Sequence, residues 1–291
     1  MISEIDTGEF DIEVTGFDAD ELKKLFGFES KDGNTDDDAI PEDVKPICKV
    51  GDLYKLGDHR LLCGDATKKD DVERLMDGRK ADMVFTDPPY GVDYSAKNEF
   101  LNKADKGNHI QTPIENDNIK NYIKFFKDFL SVLPLADYNS FYISISDQKL
   151  KCLLIAISEL NYKASQILVW VKNNHVLGRQ DYYNKHELIV YGWKNHHKFY
   201  GGTSFSVWEF DRPVKSELHP TMKPINLIEN GIINSSLKNM IVYDCFLGSG
   251  STLIACEKTN RKCYGMEIDP HYCDVIIKRW EDFTGGKAEK I

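Results

Sequence analysis

The 291 residues contain no apolar run long enough to cross a bilayer; stretches such as Ile167-Leu168-Val169-Trp170-Val171 are only a few residues long. The opening MISEIDTGEF is acidic and lacks a basic stretch followed by an apolar one, so no secretory signal is expected and a cytoplasmic location is. There is no Cys-x-x-Cys. The seven cysteines are odd in number, which argues against a disulfide framework or a zinc knuckle and for reduced thiols. His196-His197 has no Cys or carboxylate at ligand spacing, so no metal site is expected. The sequence also lacks Gly-x-Gly-x-x-Gly and a phosphate-loop lysine, which counts against NAD and ATP. Finally, the net charge of -10 lacks the positive excess of most nucleic-acid binders.

That charge is unevenly spread. Residues 1–45 hold fifteen acids and four lysines, while the rest of the chain holds 32 acids and 33 bases. The main body, 46–291, is therefore neutral, and 1–45 reads as an acidic segment. Within it, Asp18 or Asp20 can cap a short helix over ELKKLF, and SKDGNTDDDAIPED reads as a linker. In the body, residues 163–200 interleave six bases with seven aromatics. Lys172, Arg179, Lys185, Lys194 and Lys198 are candidate phosphate contacts; a solvated face over core aromatics is the competing reading.

With 41% hydrophobic and 29% charged residues the chain is not mainly disordered. From residue 50 onward, strand-like and helix-like patterns alternate. Strands are expected at 60–63, 82–86, 141–146, 165–171, 186–193, 240–244 and 262–266. Helices are expected at 70–77, 118–133, 148–160, 226–237, about 251–259 and 270–283. This is an α/β pattern with a mainly parallel sheet covered on both faces. Ligands of such sheets bind beyond the carboxyl ends of the strands. Asp65, Asp87, the segment Asp244 to Gly250, and Glu267 all fall at such ends.

Two constellations carry chemistry. In Asp244-Cys245-Phe246-Leu247-Gly248-Ser249-Gly250-Ser251-Thr252 a strand meets a glycine turn and a helix start. Glycines allow close approach of a ligand, and the free N–H groups of a helix start favour a carboxylate or phosphate. Glu267, at the next strand end, can accept both hydroxyl protons of a ribose. The second constellation is Asp87-Pro88-Pro89-Tyr90. Two prolines force the chain to turn and leave carbonyls unpaired. A carboxylate beside such carbonyls suits an amine with two N–H bonds to donate, and Tyr90 offers a face for a planar ring.

These pieces, with Gly64-Asp65, Lys185-His186-Glu187-Leu188-Ile189-Val190-Tyr191, His219-Pro220-Thr221-Met222-Lys223-Pro224 and Gly265-Met266-Glu267-Ile268-Asp269, stand in the order of a known family. Over residues 50–284 the chain resembles the β group of amino-methylating DNA methyltransferases, in which the catalytic motif precedes the cofactor motif. The resemblance implies a Rossmann-like, seven-stranded, mostly parallel sheet, S-adenosylmethionine as methyl donor, and adenine N6 or cytosine N4 of double-stranded DNA as acceptor. Asp87, Pro88, Pro89 and Tyr90 would form the catalytic pocket. Phe246, Gly248, Ser249 and Gly250 would line the methionine and ribose part of the cofactor, within the segment that also holds Asp244, Ser251 and Thr252. Glu267 would bind the ribose, Asp65 the adenine amine, and Thr221 and Lys223 the methionine. A homodimer and a cognate restriction enzyme fit the family without any sequence feature requiring them. Arg279-Trp280-Glu281-Asp282-Phe283-Thr284 resembles phage-type members, and residues 15–28 resemble the end of a ParB-like module fused ahead of some.

Asp at the first position of the tetrapeptide resembles adenine-modifying members more than cytosine-N4 ones. Met222 stands where the family often has Gln. Only 25 residues separate Trp193 from His219, where many relatives place a target-recognition region, so loops at about 91–117 and 172–218 are expected to read DNA. An RNA or glutamine methyltransferase is a rival reading, but there the tetrapeptide usually follows the glycine loop and starts with Asn. A non-catalytic DNA-binding module is another rival, against which both intact motifs speak.

Overall fold

The computed structural model describes residues 30–41, 44–89, 119–173, 181–202, 204–211 and 222–291. Apolar runs and alternations produce the strands β1 (Leu53–Leu56), β2 (His59–Cys63), β3 (Ala81–Thr86), β4 (Leu135–Ile145), β5 (Lys163–Val171), β6 (His186–Trp193), β7 (Val207–Glu209), β8 (Ile241–Asp244), β9 (Lys262–Glu267) and β10 (Glu289–Lys290); β3, β8 and β9 are buried on both faces, β7 and β10 largely exposed. They form one sheet in the order β10-β1-β2-β9-β8-β3-β4-β6-β5-β7. The seven expected strands make its contiguous centre, from β2 to β5. The short strands β1, β7 and β10 extend it beyond the expected seven. β4 also starts at Leu135, six residues before the expected strand, because polar Asp137, Tyr138 and Asn139 hide the alternation there.

Side chains leave each strand alternately to two cores. From β3, Met83 and Phe85 enter one core and Ala81 and Val84 the other. Helices α4 (Ile225–Ser235), α5 (Ser251–Lys258) and α6 (Pro270–Thr284) cover the first face. Helices α1 (Lys69–Met76), α2 (Tyr122–Ser131) and α3 (Asp147–Glu159) cover the second. The caps are local: the Asn121 side chain accepts from Lys124 N–H at 3.0 Å, and Asp269 from His271 N–H at 2.8 Å with Pro270 in the first turn. All seven cysteines are unpaired thiols, and six are buried.

One expectation is corrected at the amino-terminal side. Residues 30–41 are not a free linker; they lie along the ends of α4, α5 and α6. Lys31 N–H donates to the Lys258 carbonyl, and Asn34 N–H to the Phe283 carbonyl, both at 2.8 Å. Each satisfies a carbonyl that a helix end leaves without a partner. The helix expected over ELKKLF and the loop at 91–117 lie outside the described residues.

Candidate active site

The strand register brings the sequence-predicted acids to one edge. β2, β9, β8 and β3 run parallel, with Cys63 opposite Glu267, Asp244 opposite Gly265, and Val84 opposite Tyr243. Gly64 N–H donates to the Glu267 carbonyl at 2.9 Å, so Asp65 follows directly beside that strand end. Asp65 accepts from its neighbour Thr67, through both N–H (2.9 Å) and hydroxyl (2.7 Å). Asp65, Glu267, the glycine loop and Asp87 thus lie side by side along the carboxyl edge.

The loop is built from beneath. Asp244 is buried, and its two oxygens accept from the Thr252 hydroxyl (2.6 Å), the Thr86 hydroxyl (2.7 Å) and Phe246 N–H (3.1 Å). Burial pushes the Asp244 carboxyl up to about 6, against those three donors. Asp244 and Thr252, grouped in the sequence with cofactor contacts, are spent on bracing the loop. Phe246 packs on the rings of Phe125 and Phe129. Gly248 and Gly250 both have positive φ (54° and 87°), and Gly250 leads into α5. A Cβ on Gly248 would meet nothing within 4 Å, whereas one on Gly250 would meet Ile276 at 3.2 Å. The loop is therefore open above Gly248 and closed against α6 at Gly250.

Glu267 closes the cradle. One oxygen accepts from Gly248 N–H at 2.8 Å and the other from Asp269 N–H at 3.0 Å. Burial lifts its carboxyl to about 7, opposed by those N–H groups. Each carboxylate oxygen retains a further lone pair. A carboxylate with spare acceptor capacity beside an open glycine loop fits the paired hydroxyls of a ribose.

Asp87 lies just past β3, where Pro88 stops the strand. One of its oxygens is held by the Lys223 ammonium. The other, Oδ1, is buried and has no hydrogen-bond partner among the described residues. Lys223, just before α4, also reaches Glu187 at 3.5 Å, and Glu187 holds Lys172. Two half-buried acids and two buried lysines from four segments thus form one chain. Burial raises the Asp87 carboxyl above its usual range, Lys223 opposes this, and Glu187 adds to it. For Lys223 burial works against the charge, but Asp87 and Glu187 outweigh it and hold the ammonium above its usual value. The role of Glu187 is not legible in the sequence; its only signal there is the segment Lys185 to Tyr191. Tyr90 and Thr221 lie outside the described residues.

The expected phosphate contacts do not form one surface. Lys172 is only 5% exposed, paired with Glu187 and 5.0 Å from the Trp170 ring, so it is no surface cation. Lys194 and Lys198 follow β6, which runs antiparallel to β4. Six residues from Glu187 to Trp193 span roughly 20 Å, which carries both lysines to the edge opposite Asp87. There Lys194 stands over the Tyr162 ring and Lys198 over the Tyr138 ring. Lys185 is exposed on the Asp87 edge. Arg179 lies outside the described residues.

Comparison with known proteins matches this arrangement. A family model of the N6/N4 type, described as DNA methylase, matches residues 81–279. A second, described as ParB-methyltransferase HTH domain, matches residues 1–50. The chain is 24% identical over 256 residues to the type II methyltransferase M.HpaI of Haemophilus parainfluenzae, covering 78% of this chain and 76% of that one. It is 34% identical over 101 residues to the DNA adenine methyltransferase YhdJ of Escherichia coli K12, a third of each chain. The crystal structure of the M1.HpyAVI–SAM complex shares the fold, with a TM-score of 0.56 and 21% identity over 75% of this chain and 98% of that one. The first model spans β3 with Asp87, the glycine loop and Glu267, well over half of the chain, and the protein belongs to the N6/N4 DNA methylase family.

Proposed function

We propose that the protein transfers a methyl group from S-adenosylmethionine to the N6 amine of adenine in double-stranded DNA, with the base flipped out of the helix against Asp87, Pro88, Pro89 and Tyr90. One observation carries the reading: a carboxylate at the strand edge has one oxygen fixed by Lys223 and the other buried without a partner among the described residues, beside an open glycine loop. A buried acceptor left unpaired is costly, and an incoming N–H group relieves it.

An aryl amine is a weak nucleophile because its lone pair is delocalised into the ring. Asp87 Oδ1 and the Pro88 carbonyl accept its two N–H bonds, favour a pyramidal nitrogen and stabilise the positive charge that develops on it. Tyr90 stacks on the base. Lys223 opposes the upward push of burial on Asp87 and fixes its rotation, and Glu187 with Lys172 balances that ammonium. Gly248, Ser249, Gly250 and Ser251 shape the cradle, with Phe246 and Asp65 at its sides and Glu267 on the ribose. When bound, S-adenosylmethionine supplies an electrophilic sulfonium methyl. Alignment of the held amine with it provides much of the acceleration. The excess proton leaves to water after transfer. Among the described residues expected to meet DNA, Lys185 is the exposed base on this edge.

Product chemistry tests the reading. Double-stranded DNA incubated with labelled S-adenosylmethionine and digested to nucleosides is expected to yield N6-methyladenine by mass spectrometry. The Asp at position 87 and the YhdJ likeness support adenine. N4-methylcytosine instead would keep the mechanism and reverse the choice of base. A product in RNA or protein alone would overturn the DNA substrate.

Glu267 makes cofactor binding pH-dependent. The ribose hydroxyls need an ionised acceptor, and the free carboxyl titrates at about 7. Affinity for S-adenosylmethionine is therefore expected to weaken as pH falls through that value, by up to about tenfold per unit in the limit where only the ionised form binds. Calorimetric titration across this range, with Glu267→Gln giving a weaker but flat profile, checks it.

A further inference from the structure

The acidic segment and the Arg279-to-Thr284 motif are the two sequence features that the methyl-transfer chemistry leaves unused, and the structure joins them. Arg279 is 3% exposed. One of its terminal nitrogens donates to the Ser249 carbonyl at 3.0 Å and the Ser251 hydroxyl at 3.3 Å, from behind the glycine loop. The other donates to the Asp37 carbonyl at 2.9 Å. The same acidic run reaches the second side of the site. Asp38 Oδ1 accepts from Ile225 N–H at 3.1 Å, at the start of α4 and two residues after Lys223. A carboxylate there meets the positive end of the helix. The Asp37 carboxylate holds Lys258 at the far end of α5, with Glu229 at 3.3 Å from the same ammonium.

The chemistry of these contacts is specific to the pairing. A buried guanidinium loses its hydration, and the acids at 36–38 offset part of that loss. Its planar fork holds two terminal nitrogens apart, one on the glycine loop and one on the strap, a span that a single lysine ammonium does not have. Gly33 lies flat against Phe283, where any Cβ would collide with the ring at 2.2 Å. The strap is thus seated by backbone pairing and close packing, with the Asp37 carbonyl on Arg279, the Asp37 carboxylate on Lys258 and the Asp38 carboxylate on Ile225 N–H.

We propose that residues 36–38 and Arg279 form a positioning brace for the cofactor site, fixing the Ser249–Ser251 loop from one side and the Lys223 segment from the other. This rests on the assignment of the glycine loop to S-adenosylmethionine. The brace touches neither cofactor nor base; its Arg279 arm acts on cofactor affinity through the loop, and its Asp38 arm acts through the Lys223 segment.

The test is calorimetric titration of S-adenosylmethionine into the full chain and its Asp38→Ala, Asp38→Asn and Arg279→Lys variants, with KM and kcat on double-stranded DNA and thermal melts. Losing a buried hydrogen bond of this kind corresponds to about fivefold in an equilibrium constant. Asp38→Ala is expected to weaken binding by about that factor, and Arg279→Lys, which breaks two contacts, by about tenfold or more. In Arg279→Lys turnover at saturating cofactor stays within about twofold, since that arm reaches the loop and not Asp87. Asp38→Asn, whose amide oxygen still accepts from Ile225, is expected to bind nearly as the unsubstituted chain does. Wild-type affinity in both Asp38→Ala and Arg279→Lys, with or without a lower melting temperature, overturns the brace. If Arg279→Lys does not fold, Asp38→Ala decides alone, because it leaves the buried arginine and its loop contacts in place. Absence of binding by the unsubstituted chain overturns the cofactor assignment itself and the brace with it.

Discussion

Asp87→Ala is expected to lower turnover by about a thousandfold, the upper range for removing one preorganised partner of a developing charge. S-adenosylmethionine affinity should change by no more than about threefold, since the proposed mechanism sets Asp87 against the base and not the cofactor. The fold is expected to survive. Lys223 keeps Glu187 within 3.5 Å, so its buried ammonium is not stranded, and Pro88 and Pro89 still shape the turn. Asp87→Asn preserves shape but replaces one acceptor with a donor and loses the charge facing Lys223; a loss of about a hundredfold is expected. Single-turnover kinetics beside calorimetric cofactor titration separates the two quantities. Near-normal turnover in Asp87→Ala would remove Asp87 from the mechanism, whatever its place in the fold.

What could be read from the sequence depended on whether the cause was local. Strand alternation and helix periodicity are local, so the positions of Asp65, Asp87, Asp244 and Glu267 at strand ends were legible, and parallel pairing then set them side by side. The direction of β6 was not legible. An alternating strand reads the same in both directions, so Lys185 and Lys194 looked like one basic stretch, although antiparallel pairing with β4 sends them to opposite edges. Lys172 failed for a related reason. Its partner Glu187 comes from the neighbouring strand, where Trp170 stands opposite Glu187 in the register. The strands β7 and β10, three and two residues long, are too short to show a period. The acidic run at 36–38 looked like a linker because the bases that order it, Lys258 and Arg279, are more than two hundred residues away. Composition identifies an excess of charge, but only the fold shows where its counter-charge lies.

Lys223 separates two accounts of the site. The resemblance puts it by the methionine moiety; the structure puts it on Asp87 and Glu187. Lys223→Met removes the ammonium and leaves two half-buried carboxylates with Lys172 as the remaining base paired to them among the described residues. Burial and the Glu187 charge already push the Asp87 carboxyl up, and without Lys223 nothing comparable opposes them. The methyl-accepting site needs Asp87 ionised. A raised carboxyl is ionised only above its new value, so activity is lost as pH falls through it and returns as pH rises. Turnover near neutral pH is thus expected to drop by about a hundredfold and to recover in part under alkaline conditions, with the acid limb of the kcat profile moved to higher pH. Lys223→Arg, which keeps the charge, should leave that limb close to its original position. A lysine serving mainly as a cofactor ligand predicts the opposite split: KM for S-adenosylmethionine rises, saturating cofactor restores kcat, and the limb does not move. Both effects together would mean that the ammonium exchanges partners when cofactor arrives, and the Glu187–Lys172 pair beside it is placed to balance the charge while it does.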